Sequence, residues 1–296
     1  VSKSLFSTGI DDENIIKLGS AINRLQQHIV KEVRMPLTNW WRRLNGSTAR
    51  AHKIAAEARS MLQVIIDDRK SSQEGYDDLL DMLIGAQYED TKTGMTDQQI
   101  LDEAIILFVA GYETTANTLG WCLHALREHP EVNERLDQEI GDMSGYTMEA
   151  LMRPSYLMQV IEETMRMYPA AWILDRVALE DDKIHDVHIS KGDLVGLYVF
   201  GTHRNPDVWT DALQYDPDRF APSNKKEHQS YAFFPFGGGP RMCIGYHFAN
   251  MEMQIAISEF FKRFKLPSPS GSEPDYLPLI TLKPRENIMM RLEARS

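Results

Sequence analysis

Cysteine is scarce: the chain has only Cys122 and Cys243 in 296 residues. A chain this long buries enough surface to fold without covalent staples, so the scarcity excludes a disulfide framework and fits a reducing compartment. No apolar run approaches the ~20 residues that a membrane-crossing helix requires. Residues 1–10 lack the basic-then-apolar pattern of a secretory leader. The expected location is therefore intracellular and cytoplasmic, with any membrane anchor lying upstream of Val1. Positive charge is also short, with 32 Lys and Arg against 43 Asp and Glu and a net charge of -11. That balance excludes nucleic acid as a partner, because affinity for its backbone comes from cations neutralising phosphates. There is no internal repeat, low-complexity tract or clean linker, so residues 1–296 read as one domain. Hydrophobic content of 43% and charged content of 25% are ordinary for a globular chain.

Two textures follow each other along that domain. Up to about residue 170 the signals are helical. Ile54, Ala58, Met61, Leu62, Ile65 and Ile66 recur at three- and four-residue steps, predicting an amphipathic helix followed by a polar turn over residues 67–75. Thr96 and Gln99 have capping-box spacing ahead of a mostly apolar run over residues 100–110, predicting a helix buried on nearly every side. Pro130 suits a first helical turn, Gly141 can end that helix, and a further helix over residues 155–167 stops before Pro169. From residue 171 onward, short β-rich runs at 173–179, 185–189 and 194–200 suggest a small sheet, separated by Asp-Asp and Lys-Gly-Asp turns. Residues 205–224 hold three prolines and little periodicity, long for a loop without a job. A last helix is predicted over residues 244–264. The fold class expected is mainly α with small β-sheets.

The sharpest chemical signal is Phe236-Gly237-Gly238-Gly239-Pro240-Arg241-Met242-Cys243-Ile244-Gly245, a glycine-dense loop leading into a helix. A thiolate is the useful form of cysteine as a metal ligand, and N-H groups at a helix N-terminus favour it. Glycines let the backbone approach the sulfur, Arg241 can reach an acidic group on the same ligand, and Phe236 can shield the sulfur from water. A lone cysteine in a glycine-rich turn is more often buried and inert. Phe, two Gly, Arg and Cys at five set positions, however, arise by chance on the order of 1 time in 10,000 or less.

This segment resembles the cysteine-ligand loop of cytochromes P450, with the pattern F-x-x-G-x-R-x-C-x-G. The resemblance implies haem b (iron protoporphyrin IX) as cofactor, Cys243 as the iron's axial ligand, and Arg241, Phe236, Gly237 and Gly245 around it. Ala110-Gly111-Tyr112-Glu113-Thr114-Thr115 is similar to the family's oxygen groove. By that likeness Glu113 and Thr114 organise water and relay protons to dioxygen, while Gly111 leaves space beside the haem. The hexapeptide alone also allows Thr114 to bond within its own helix and Glu113 to face solvent. Glu163 and Arg166, three apart on one helix face, would be an ordinary surface pair by themselves. With Arg219 of Tyr215-Asp-Pro-Asp-Arg-Phe220 they resemble the family's structural Glu-Arg-Arg triad, whose loss should cost haem retention. Residues 169–175 resemble the stretch passing over the haem, and Arg176 stands where a residue pairs with a propionate. His203, before Arg204-Asn-Pro and Trp209, is read as structural, not as a metal ligand. The substrate-facing residues expected are Phe108, Ala110, Ala171, Trp172 and Leu279, the last in a tail that resembles the family's final sheet.

Family members typically begin well upstream of Val1, so the resemblance implies the C-terminal two-thirds of such a domain, N-terminally truncated, without the helices that supply part of the haem cover. Nothing after Phe264 has the length of a flavin or iron-sulfur domain. Electrons are thus expected from a separate electron-transfer protein, a ferredoxin or flavodoxin with its reductase or a flavin reductase. The reaction implied is monooxygenation: one atom of O2 into a small apolar substrate. Two other readings stand beside it. One is a peroxide-dependent peroxygenase or haem-thiolate isomerase, against which the Glu113-Thr114 pair argues; the other is a noncatalytic truncated remnant. Trp40-Trp41, followed by Arg42 and Arg43, suits a membrane surface or a channel mouth, with helix packing as the plainer reading.

Overall fold

The computed structural model describes residues 12–295 except 73, 74, 77, 144, 270 and 272; residues 1–10, where a leader was sought, lie outside the described residues. The chain divides into two compact units, residues 1–113 and 114–296. The boundary lies inside the 32-residue helix Asp97–Glu128, well before the change of texture near residue 170.

The first unit is helical. Helices Asp12–Arg34 and Ser47–Ser71 pack on each other. Leu18 and Ile22 of the former join Ala58, Leu62 and Ile66 of the latter, Leu80 of the short helix Leu79–Gly85, and Ile100, Leu101, Ala104 and Phe108 of the long helix. The predicted stripe at 58, 62 and 66 is therefore the buried one. The helix outlasts the turn expected from residue 67 and runs to Ser71 because Arg69, in its last turn, is buried. Both Arg69 amino groups reach Asp78, at 2.8 and 2.9 Å, and Asp81 accepts at 2.5 Å. Asp78 also caps the next helix by accepting from the Asp81 N-H.

The capping box forms as predicted: the Thr96 N-H donates to Gln99 Oε1 at 2.8 Å and the Gln99 N-H to Thr96 Oγ1 at 3.3 Å. The expectation that this helix is buried on nearly every side is corrected, since Ile106 is 58% exposed and Glu103 and Ala110 share its open face. A single stripe, at 100, 101, 104 and 108, is enough to close the core of this unit.

The second unit is built on Trp121, Cys122, Leu126, Leu136, Val160, Ile161 and Met253, with further residues of helices Pro130–Gly141, Tyr156–Met167 and Tyr246–Arg263. The start of Tyr156–Met167 leaves no free donor at its first turn. Ser155 Oγ accepts from the Met158 N-H, and the Glu139 carboxylate takes the N-H groups of Tyr156 and Leu157 at 2.7 and 2.8 Å.

Among the described residues the β content is four two-stranded ribbons and an isolated bridge between Gln87 and Gly94. Strands β1 (Leu174–Val177) and β4 (Leu194–Leu197) are antiparallel, with Asp175 opposite Gly196. The run ending at Phe200 is cut short because the chain coils into a short helix, Val199–Thr202. Strand β2 (Asp182–Ile184), expected as part of a turn, pairs with β3 (Val187–Ile189); the reversal lies at His185, in the left-handed region at φ 51°. Its exposed side chains left no alternating pattern to read. Strands β5 (Phe264–Lys265) and β8 (Glu293–Ala294) pair, as do β6 (Tyr276–Pro278) and β7 (Leu282–Pro284), with Leu279–Thr281 as the connecting turn. The proline-rich stretch at 205–224 does have a job: Trp209, Ala212 and Phe220 form a small separate core with Ala232.

Replacing Arg69 with Met should cost about 3 to 5 kcal/mol, because it strands a buried carboxylate. The double replacement Arg69→Met with Asp78→Leu should recover part of that loss. Urea unfolding of the three proteins measures it, and equal losses for single and double variants would show that the pair itself is unimportant.

Candidate functional site

The cysteine loop is shaped by its backbone. Gly237 and Gly239 lie in the left-handed region, at φ 72° and 66°, where a side chain would strain the chain. At Gly238 an added Cβ would sit 2.6 Å from the ring of Tyr231. The Cys243 N-H donates to the Phe236 carbonyl at 2.9 Å and the Met242 N-H to that of Gly239 at 3.1 Å, so the loop folds back on itself. Gly245 is the N-cap of Tyr246–Arg263, and a Cβ there would lie 3.8 Å from Cys243 Sγ. The Phe236 ring packs edge-on to Tyr246, at 4.9 Å, and against the core of its unit.

The two cysteines differ in the way that decides which can bind a cofactor. Cys243 is exposed and unpaired, whereas Cys122 is buried and its thiol is pushed up to about 12 by burial. Arg241 is exposed beside Cys243, with no ion-pair or hydrogen-bond partner among the described residues, and Arg176 is exposed on β1, bonded to the Asp175 carbonyl. An accessible thiol on a tight loop and an uncommitted cation two residues away fit a thiolate-ligated haem, whose carboxylates need cationic partners.

Behind the loop sits the charge cluster. Glu163 and Arg166 have fully buried side chains and meet twice, Nε to Oε2 at 2.7 Å and Nη2 to Oε1 at 2.8 Å. Arg219 Nε is 3.6 Å from Glu163 Oε1, an ion pair without a hydrogen bond, so the structure brings all three residues together. Arg219 also donates to the carbonyls of Thr210 and Asp211, and the Asp216 N-H donates to Glu163 at 2.8 Å. Burial pushes the Glu163 carboxyl up from its ordinary value, against the pull of Arg166.

His203 carries the connection from cluster to loop. Its carbonyl accepts from Arg166 at 2.8 Å, and its Nε2 accepts from the Phe234 N-H at 3.0 Å, two residues before Phe236. Burial pushes its pKa down to about 3, so it stays neutral and can accept. No group of His, Cys, Asp and Glu suited to a metal occurs among the described residues.

The expected substrate residues separate. Trp172 Nε1 donates to the Leu279 carbonyl at 3.0 Å, and the Leu282 N-H donates to Ala170 at 2.9 Å, bringing Ala171, Trp172 and Leu279 to one place. Asn117 joins them by donating to Thr281 at 3.1 Å; only its position one turn beyond Thr114 could have suggested it. Phe108, in contrast, is fully buried in the core of the first unit and stacks on Tyr112 at 5.7 Å, so it is corrected to a packing role. Ala110 is exposed and Gly111 half-buried in the same helix. Glu113 is neither solvent-facing nor open: it is buried in the first unit and accepts from Gln26, which sequence reasoning did not single out. Thr114 is half-buried, and its carbonyl takes the Thr118 hydroxyl at 2.9 Å.

Histidine titrates near 6.5 when unfolded, and folded His203 near 3, so its contribution to stability is complete above pH ~6.5 and is lost as pH falls toward 3. His203→Gln keeps an acceptor for Phe234 but cannot titrate. Between pH 7 and pH 5 its unfolding free energy should fall about 2 kcal/mol less than that of the unaltered chain. Parallel pH dependences in denaturant titrations would disprove this.

The cytochrome P450 family model matches residues 2–291. Rabbit (Oryctolagus cuniculus) cytochrome P450 3A6 is 35% identical over 70% of the chain and 43% of its own length. Cyclooctat-9-en-7-ol 5-monooxygenase of Streptomyces melanosporofaciens is 30% identical over 90% of the chain and 58% of its own. The crystal structure of the cytochrome P450DA heme domain superposes with a TM-score of 0.88 at 26% identity, covering 100% of the chain and 65% of that domain. The chain thus spans about half the length of these curated relatives, and over almost all of its residues it belongs to the cytochrome P450 family.

Proposed function

We propose that the chain carries the thiolate half of a haem monooxygenase that inserts one oxygen atom from O2 into a small apolar substrate, with electrons from a separate electron-transfer protein. The observation that supports this most is the exposed, unpaired Cys243 at the end of a loop whose glycines and internal hydrogen bonds fix its backbone. The relative named as a monooxygenase supports the same reaction class.

Haem, when bound, supplies the oxygen-activating chemistry. The chain's own residues do the rest. Cys243 would hold the cofactor through its thiolate, and its N-H bond to the Phe236 carbonyl keeps the sulfur from swinging with its backbone. Arg241 and Arg176, both exposed, neutralise the cofactor's carboxylates. Thr114 positions a proton donor or water by its hydroxyl. Glu113 is a buried acid that its bond from Gln26 orients, and it exchanges protons on behalf of Thr114. Ala171, Trp172 and Leu279, tied by the Trp172 indole bond, form an apolar wall that excludes water and orients substrate.

Reduced, haem-loaded chain should give a carbon monoxide difference band near ~450 nm, the mark of thiolate ligation, and Cys243→Ala should lose it. Presence of the band in both proteins removes Cys243 as the ligand. Thr114→Ala should keep the band but lower product formed per reductant consumed by roughly a hundredfold, the lower end of what a positioned proton-transfer group contributes. Unchanged coupling would reject the proton role.

A further inference from the structure

An asparagine side chain is stable only while the next backbone nitrogen cannot reach its amide carbon, and a Cβ on the next residue obstructs that approach. Of the ten asparagines, only Asn45 precedes a glycine; the others precede Ile, Arg, Trp, Thr, Glu, Pro, Lys or Met. Asn45 is exposed and lies between regular elements, as the C-cap of the short helix Asn39–Leu44. Gly46, at φ 73°, is the N-cap of Ser47–Ser71. A left-handed N-cap favours glycine, so the fold itself keeps the unhindered residue in this place. The Gly46 N-H reaches the Arg43 carbonyl at 3.4 Å, beyond the usual range of such a bond, and its nitrogen is weakly held.

Two features activate the amide carbon. The Ser47 N-H donates to Asn45 Oδ1 at 3.0 Å, which draws electrons from the carbon and stabilises the oxyanion that forms when it is attacked. Cations also surround the site. Arg50 donates to the Asn45 carbonyl at 3.2 Å, and the exposed Arg43 side chain makes no ion pair or hydrogen bond among the described residues. Across residues 31–53, six Lys and Arg stand against one carboxylate, Glu32, in a chain of net charge -11. A positive surround favours the deprotonated backbone nitrogen, which is the attacking form.

We propose that Asn45 is a site of spontaneous deamidation, in which the Gly46 nitrogen closes on Asn45 Cγ and the chain acquires a carboxylate ahead of Ser47–Ser71. The N–Cγ bond forms and the Cγ–Nδ2 bond breaks, with the Gly46 amide proton leaving on Nδ2 as ammonia. Water then opens the cyclic imide, its hydroxyl going to one carbonyl carbon and its proton to the Gly46 nitrogen. Opening at Cγ leaves aspartate; opening at the main-chain carbonyl leaves isoaspartate, with the backbone rerouted through the side chain. Either product sets a negative charge between Arg43 and Arg50, beside the positive end of a helix, where it is stabilised.

Incubation of the folded chain at neutral pH, followed by trypsin, tests this. Cleavage after Arg43 and Arg50 isolates residues 44–50 with Asn45 as their one asparagine, and a sample digested at once gives the starting point. The peptide should acquire the mass shift of NH exchanged for O and split into two products of different retention. It should do so at least several-fold faster than any other asparagine-bearing peptide, and faster still at mildly alkaline pH. Asn45→Gln should abolish the change, because closure would then need a larger ring. Arg43→Glu, at an exposed position, should slow it several-fold. A peptide that stays unmodified in the folded chain overturns the proposal, and modification only in urea would show that the cap protects the amide instead. A rate no greater than that of the other asparagines overturns it as well, and an unchanged rate in Arg43→Glu removes the part assigned to the cations.

Discussion

The guanidinium of Arg166 is the constraint on which the second unit depends. It gives two bonds to Glu163 and others to the carbonyls of His203, Ala212 and Gln214, at 2.8, 2.7 and 3.0 Å. Those carbonyls belong to a stretch with almost no regular structure, where neither helix nor sheet can satisfy them. Buried backbone groups must find partners somewhere, and a planar cation with five donors can serve several carbonyls from one point. Lysine could not, because its single charged nitrogen cannot reach three separated carbonyls and both carboxylate oxygens together.

Stability is a poor explanation for such a cluster. A buried ion pair commonly loses as much by desolvation as it gains by attraction, and burial pushes the Glu163 carboxyl up even with Arg166 against it. Position is the better explanation. The cluster holds His203, His203 takes the Phe234 N-H, and Phe234 in turn accepts from the Gly237 N-H at 2.9 Å. A buried charge on Tyr156–Met167 is thus linked by three bonds to the first residues of the cysteine loop. Neutral His203 is required for this, since a protonated imidazole has no lone pair to accept the Phe234 N-H.

What could be read beforehand follows from how local each signal is. Helix limits were legible because Thr96, Gln99, Pro130, Gly141 and Ser155 act within a turn of themselves. The β2–β3 hairpin was not, because its side chains are exposed and one left-handed residue, His185, sets the reversal. The cysteine loop was legible as a dense pattern of rare residues in series. Glu163 and Arg166 carried no more information than a surface pair until Arg219, more than fifty residues on, was set beside them. Phe108 was misread because a phenylalanine on a helix near a groove and one in a core look alike in sequence; only its stacking on Tyr112 within the first unit's core separates them. Gln26 left no signal and Asn117 only its place one turn beyond Thr114, since each bonds to a partner distant in sequence.

The same fact explains the contrast between the two arginines of the first unit that are buried. Arg69 is enclosed with Asp78 and Asp81, so its charge is matched and the helix it ends is locked to the next. Arg42 is enclosed with carbonyl and side-chain oxygens alone, and no carboxylate meets it among the described residues. Its positive charge is therefore dispersed, not cancelled, and adds to the field of Arg43 and Arg50 around the exposed tryptophans. A buried arginine with carboxylates builds a joint between elements; one with only dipoles both orients its helix and leaves its charge to be felt outside.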